Sequence, residues 1–155
     1  MARHAPGAAQ DRISVVGVDP GTRAAGIVAV DGHARLLFRK RLLIPGDDPN
    51  RRLLRLHSAV DQALARSKAA VLAIENPSHP RNARTAHLLG RAVGVCILAA
   101  CNRGIVVLEY RPTQVRAALG DLLRRFRGCR GWSADELAAG AAALLAVREL
   151  RALLP

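Results

Sequence analysis

The sequence predicts an α/β domain built on a five-stranded mixed sheet, three strands in an antiparallel meander plus two parallel strands, flanked by helices. Three observations predict it. Short apolar runs at Ile13 to Val18, Gly26 to Val30 and Leu36 to Ile44 follow one another closely, and Asp31-Gly32 between the second and third is a hairpin signal. Later apolar runs at Ala70 to Ile74 and Ile105 to Leu108 alternate with helical periodicity, the arrangement that builds parallel pairing. The length of 155 residues, half of them hydrophobic, suits one core and leaves no room for two ordinary domains.

The elements follow in order. The first run is β-branched and ends in Asp19-Pro20-Gly21, a buried strand that delivers an acid into a turn. After the meander, Pro45 to Pro49 breaks the chain. Leu53, Leu56, Val60 and Leu64 then recur at helical spacing from Asn50 to about Ser67. Ala70 to Ile74 is nearly continuous in apolar residues, as a strand covered on both faces should be, and it ends in Glu75. A loop containing Pro77 and Pro80 precedes a long helix from about Asn82 to Asn102. Beyond the strand at Ile105, Pro112 opens a helix to roughly Phe126, Gly128 and Gly131 break it, and a last helix runs from Ser133 to about Leu150. Residues 1–12 are expected to form a disordered basic tail, 13–150 a single domain and 151–155 a C-terminal tail.

Charge narrows the partners. The formal net charge of +12 comes from 22 Arg and 2 Lys against 12 acids, and Arg suits bidentate phosphate contacts, so nucleic acid leads and a membrane surface follows. Aromatic side chains make up 3% of the chain, which disfavours a single-strand binder that stacks bases on a platform. Cys96, Cys101 and Cys129 lack metal-ligand spacing and imply a reducing, cytoplasmic setting. The N-terminus has no secretory signal, and no later apolar run reaches the ~20 residues of a membrane span.

The crossover from the meander through the first helix returns, right-handed, to a strand parallel to the first. Asp19 and Glu75 then lie at the carboxyl ends of neighbouring strands, the edge where α/β proteins place their sites. A carboxylate beside a core needs a partner or a metal to offset its desolvation. Magnesium fits, since it takes hard oxygen ligands from one or two carboxylates plus substrate phosphate.

These residues carry a family resemblance. Gly17-Val-Asp-Pro-Gly-Thr-Arg23 with Gly26, then Ala73-Ile-Glu-Asn76, Asn82-Ala83, Leu89-Gly-Arg-Ala-Val-Gly-Val95, Ala99-Ala-Cys-Asn102, Glu109-Tyr110 and Gln114-Val-Arg116 resemble the RuvC resolvases in unbroken order. The resemblance covers residues 13 to 120 closely and 132 to 147 more loosely. It implies an RNase H-like fold and a homodimeric, Mg²⁺-dependent endonuclease, with Mn²⁺ able to substitute. The implied substrate is four-way junction DNA, the work that of recombination and repair beside branch-migration machinery. By position, Asp19 and Glu75 match the first two of four family acids. Aligning Ala-Asp-x-Leu-Ala puts Asp135 on the last and Trp132 where the third should stand; a shifted register would put Asp135 on the third and Ala138 on the fourth.

Glu136 is the candidate fourth acid, although Ser133 with Glu136 also spells a helix-capping box. The segment between Gln114 and the last helix is shorter than in the family. Arg124, Arg125, Arg127 and Arg130 there are candidate DNA contacts beside the acids, or a solvated helix end. Arg81, Arg84 and Arg116 are further candidate phosphate contacts. Ser78 stands where related resolvases often carry an aromatic that probes the junction centre, and His79 and His87 read as polar surface groups. Gly90 and Gly94 are spaced for close helix approach, either across the family's dimer interface or onto the sheet of the same subunit. Three other readings remain: a junction-binding protein without catalysis, an RNase H-like nuclease for another DNA or RNA substrate, and a phosphate loop like that of actin-like kinases, which need about twice this length.

Overall fold

A computed structural model describes residues 13–77 and 82–153. The expected basic tail, Ser78, His79 and Arg81 lie outside the described residues. The element order is β1 (Ser14–Asp19), β2 (Ala24–Asp31), β3 (Leu36–Leu43), α1 (Pro49–Ser67), β4 (Val71–Glu75), α2 (Ala83–Cys101), β5 (Val106–Tyr110), α3 (Pro112–Arg125) and α4 (Ala134–Leu153). The sheet runs β3-β2-β1-β4-β5, antiparallel through the meander and parallel from β1 to β4 to β5. α4 extends through Leu153, into the segment expected as a tail.

The strands alternate between two cores, because successive side chains point to opposite faces. Val16, Val18, Ile27, Ala29, Leu72 and Ile74 pack beneath α1 and α2, whereas Val15, Val28, Val30, Val71 and Ala73 pack beneath α3 and α4. β1 and β4 are therefore apolar at nearly every position. α1 begins where Asp48 caps it, its carboxylate accepting from the amides of Asn50 and Arg51. Cys96, Cys101 and Cys129 are free thiols, and burial pushes Cys96 up to about 12.

The expected hairpin at Asp31-Gly32 forms, with β2 and β3 joined through a four-residue loop (residues 32–35) in which Ala34 lies in the left-handed region at φ 57°. Asp31 organises that loop: its carboxylate accepts from the amides of His33 (2.9 Å) and Arg35 (2.8 Å) and from Arg35 Nε (2.6 Å). One expectation changes: α2, at 19 residues, is by length and composition apolar enough to cross a membrane. One face of that helix packs on the sheet through Ala92, Val93, Cys96, Ala99 and Ala100.

Burial alone would raise the Asp31 pKa, but these donors outweigh it and hold the group below 3.8. A depressed carboxyl adds stability above its unfolded pKa and loses it as pH falls through the folded one. Asp31→Asn should therefore cost about 2 kcal/mol at pH 7 and progressively less below pH 3.8. Urea denaturation of both proteins at pH 7 and pH 3 checks this; an equal penalty at both would rule it out.

Candidate active site

Two strands and one helix deliver three carboxylates to one end of the sheet. Val18 pairs with Ile74 in parallel register, so the next step sets Asp19 beside Glu75 with both side chains on the α4 face. Asn76 secures the end of β4: its amide donates to the Tyr110 carbonyl (2.8 Å) and its Nδ2 to Glu109 Oε2 (2.7 Å).

The third acid arrives through two glycines. Gly26 lies opposite Asp19 across the β1–β2 pair. A Cβ built there would fall 1.9 Å from the Asp135 carbonyl oxygen, and one at Gly17 would fall 1.9 Å from that of Ala139. Both glycines face α4, and only hydrogen at these positions lets its backbone lie directly on the sheet. That seat holds Asp135 at the edge where β1 and β4 end.

Electrostatics records the convergence. Desolvation, reinforced by the charges of Glu75 and Asp135, raises the Asp19 pKa from 3.8 to about 7. Burial raises Glu75 as well, against the opposing Arg116 cation. Among the described residues no hydrogen bond or ion pair compensates Asp19. Asp135 is paired: Arg41 Nε donates to its Oδ2 at 3.2 Å. No three His, Cys, Asp or Glu side chains among the described residues close into a ready ligand cluster. The donor set is thus an open edge of hard oxygens with an unneutralised carboxyl at its centre. This fits a divalent cation of the Mg²⁺ type, which keeps several waters and shares its shell with substrate phosphate.

Glu136 is turned into the protein and 4% exposed. Its Oε2 accepts from the Ser133 amide (2.8 Å) and hydroxyl (3.0 Å), its Oε1 from Arg39 Nη1 (2.6 Å), and Ser133 Oγ accepts from the Glu136 amide (3.2 Å). The capping box is closed and both carboxylate oxygens are engaged. Burial alone would raise its pKa, but the Ser133 amide and Arg39 hold it below 4.5. Trp132 is part of the same packing, stacked on Phe126 at 5.5 Å with the Arg39 guanidinium 5.3 Å from its ring centre.

The basic residues divide. Arg116 lines a groove of about 240 Å³ with Glu75, Ala134 and Ala138, and Gln114 prepares it by accepting from the Arg111 amide (2.9 Å) at the start of α3. Arg84 is exposed in the first turn of α2, the helix entered from the Glu75 edge. Arg124 and Arg125 are not beside the acids. α3 crosses to the opposite edge, where Arg124 pairs with Asp121 and Arg125 donates to the carbonyls of His33 and Ala34. Arg127 and Arg130 are exposed on the returning loop, in which Gly131 passes Arg39. Gly90 and Gly94 do not pack on the sheet; they are exposed, and a Cβ at either would meet nothing within 4 Å.

Sequence reasoning missed Arg39 and Arg41. Their period-two spacing on β3 signals one face, but a partner on α4 could not be read from it. Glycines inside the apolar strands β1 and β2 are a signal of close backbone approach that sequence reasoning did not use, and it would have pointed to the α4 seat.

The topology, with acids at the ends of its first and fourth strands, defines an RNase H-like domain. The chain belongs to the RuvC family: the family model described as "Crossover junction endodeoxyribonuclease RuvC" matches residues 15–122. Curated relatives of that name include one from Myxococcus xanthus, 41% identical over 110 residues (68% of this chain and 58% of the relative). Another is from Moorella thermoacetica, 34% identical over 109 residues (68% and 65%). The matched region thus spans about three fifths of these relatives. Among solved structures, Thermus thermophilus RuvC in complex with Holliday junction substrate superposes with a TM-score of 0.78 at 26% identity, covering 90% of this chain and 96% of that one. The yeast mitochondrial Holliday junction resolvase Ydc2 shares the fold at 10% identity, with a TM-score of 0.60 over 92% and 81%. Asp135 lies beyond the family match, so its place rests on the seat of α4.

Proposed function

We propose that this protein is a structure-selective DNA endonuclease that resolves four-way junctions by metal-dependent phosphodiester hydrolysis. The observation that carries the reading is the meeting of Asp19, Glu75 and Asp135 on one face of the sheet edge, in a chain of this family. Asp19, Glu75 and Asp135 would hold Mg²⁺ or Mn²⁺, which when bound supplies a Lewis acid that activates water and offsets phosphate charge. The residues of the chain do the rest. Arg116 and Arg84 bind backbone phosphates beside the site, with Arg81 on the segment between Glu75 and α2. Arg41, on the edge strand, is free to exchange Asp135 for an incoming phosphate. Glu136 is a structural clamp, not a ligand, and the site has three acids because Trp132 occupies the place of the family's third.

Junction cleavage by the wild type, Asp135→Asn and Glu136→Gln in Mg²⁺ tests this. Asp135→Asn should lose on the order of 10³ in rate. Glu136→Gln keeps its shape and should retain activity within about tenfold while weakening the fold by roughly 1–3 kcal/mol. Equal loss in both would make Glu136 a ligand. Tight junction binding without cleavage in either metal would favour a binding protein without catalysis, the reading that the missing third acid supports.

The open Gly90 and Gly94 face of α2 supports a homodimer, which would align two sites on two strands. Leucine at both positions should convert a dimer to monomers in sedimentation; an unchanged mass would exclude this interface. The free thiols and the family's work beside branch-migration machinery suit the cytoplasm.

A further inference from the structure

Four arginines gather at the edge of the sheet opposite the carboxylates. Arg124 and Arg125 end α3, Arg148 and Arg151 lie a turn apart near the end of α4, and together they line a groove of about 340 Å³ beside Ala34. Asp121 is the acid in its wall, so four guanidinium charges meet one carboxylate. Each arginine is already held. Asp121 accepts from Arg124 and Arg148, the Ala34 carbonyl from Arg125 Nε (2.7 Å), and the Gly32 carbonyl from Arg151 Nε (3.0 Å). A guanidinium carries five N–H groups, and these bonds consume one or two of them. The remaining donors are fork-shaped and their rotamers are set, which matches phosphate oxygens at low ordering cost.

The groove is linked to the catalytic edge. β3 leads from the Gly32 to Arg35 loop to Arg39, held by Glu136, and then to Arg41, held by Asp135. The eight residues from Ala34 to Arg41, two in the loop and six in β3, make seven backbone steps and span up to ~23 Å. Arginines therefore mark a line of that length along the β3 side, equivalent to about seven base pairs of duplex.

We infer that this groove is a second phosphate-binding site, gripping the backbone of duplex DNA about seven base pairs from the scissile phosphodiester. The inference rests on the nuclease reading and adds to it the path of one DNA arm. It accounts for why Arg124 and Arg125, though far from the acids, share a pocket with Arg148 and Arg151.

Binding of fluorescent four-way junctions by the full chain in EDTA tests it. One junction carries neutral methylphosphonates at the sixth to eighth phosphates of each arm, and a control carries them near the arm ends. Wild type should bind the first about fivefold more weakly than the control. Arg148→Gln/Arg151→Gln should bind both equally, with the slope of log K against log salt shallower by about 1–2. The charge-keeping Lys/Lys pair should fall between, and it serves as the reporter should the Gln pair not fold. A variant that keeps wild-type salt slope and methylphosphonate sensitivity overturns the inference. Thermal stabilisation by inorganic phosphate without any methylphosphonate effect also overturns it, making the groove a site for free phosphate. Failure of the wild type to bind any junction would instead overturn the nuclease reading.

Discussion

Gly26→Ala should destabilise the protein by at least about 3 kcal/mol and abolish cleavage. The added methyl would sit 1.9 Å from the carbonyl oxygen of Asp135, 2.2 Å from its carbonyl carbon and 2.7 Å from the Glu136 amide nitrogen. All three are backbone atoms of the first turn of α4, so no side-chain rotation relieves the overlap. The helix must lift, and Asp135 leaves the edge where Asp19 and Glu75 meet. Lifting also breaks the bond from Arg39 on β3 to Glu136. Gly120→Ala is the matched control: its Cβ would meet only Arg124 Nη1, at an ordinary 3.8 Å, and in a helix interior it should stabilise by up to about 1 kcal/mol. Urea denaturation and Mn²⁺ titration of both variants read the two effects. A Gly26→Ala protein with wild-type stability and metal affinity would mean that α4 is not seated as described.

Asp19→Asn should lower cleavage on the order of 10³-fold or more while making the metal-free protein more stable at neutral pH. The sign follows from the raised pKa. Between 3.8 and about 7 the unfolded chain has released the Asp19 proton and the folded chain retains it. Unfolding therefore releases a proton, and metal-free stability falls as pH rises through that window. A shift of this size corresponds to at most ~4 kcal/mol, and about half of that is expected for a carboxyl at an open edge. The Asn variant should lack this slope, and Mg²⁺ or Mn²⁺ should restore wild-type stability at pH 7 but not affect the variant. Parallel pH profiles for the two metal-free proteins would dismiss the carboxylate strain inferred at Asp19.

The sheet and its strand order were legible because they depend on local patterns. Continuous apolar runs at Val15 to Val18 and Val71 to Ile74 require strands covered on both faces, and acids ending those runs are exceptions that chemistry must explain. Asp19 and Glu75 follow from that alone. The capping role of Glu136 was equally local, since Ser133 lies three residues before it. The hairpin at Asp31-Gly32 was legible too, but not its loop geometry: the Asp31 carboxylate accepts from two amides further along and holds a four-residue loop.

Arginine placement could not be read this way. Arg116, Arg124 and Arg125 share one helix, yet α3 carries the first to Glu75 and the others to the opposite edge, because eight or nine helical residues advance ~12–14 Å. Sequence proximity suggested one patch, and helix length divides it into two. Likewise Arg41 and Asp135 lie 94 residues apart and meet only because α4 lies on Gly26. The sequence by itself determined the strands, the first two carboxylates and the family. Only the tertiary structure decided the third carboxylate's seat, the clamp on Glu136 and the two destinations of the arginines, since these depend on where helices land on the sheet, and that is set by packing between distant segments.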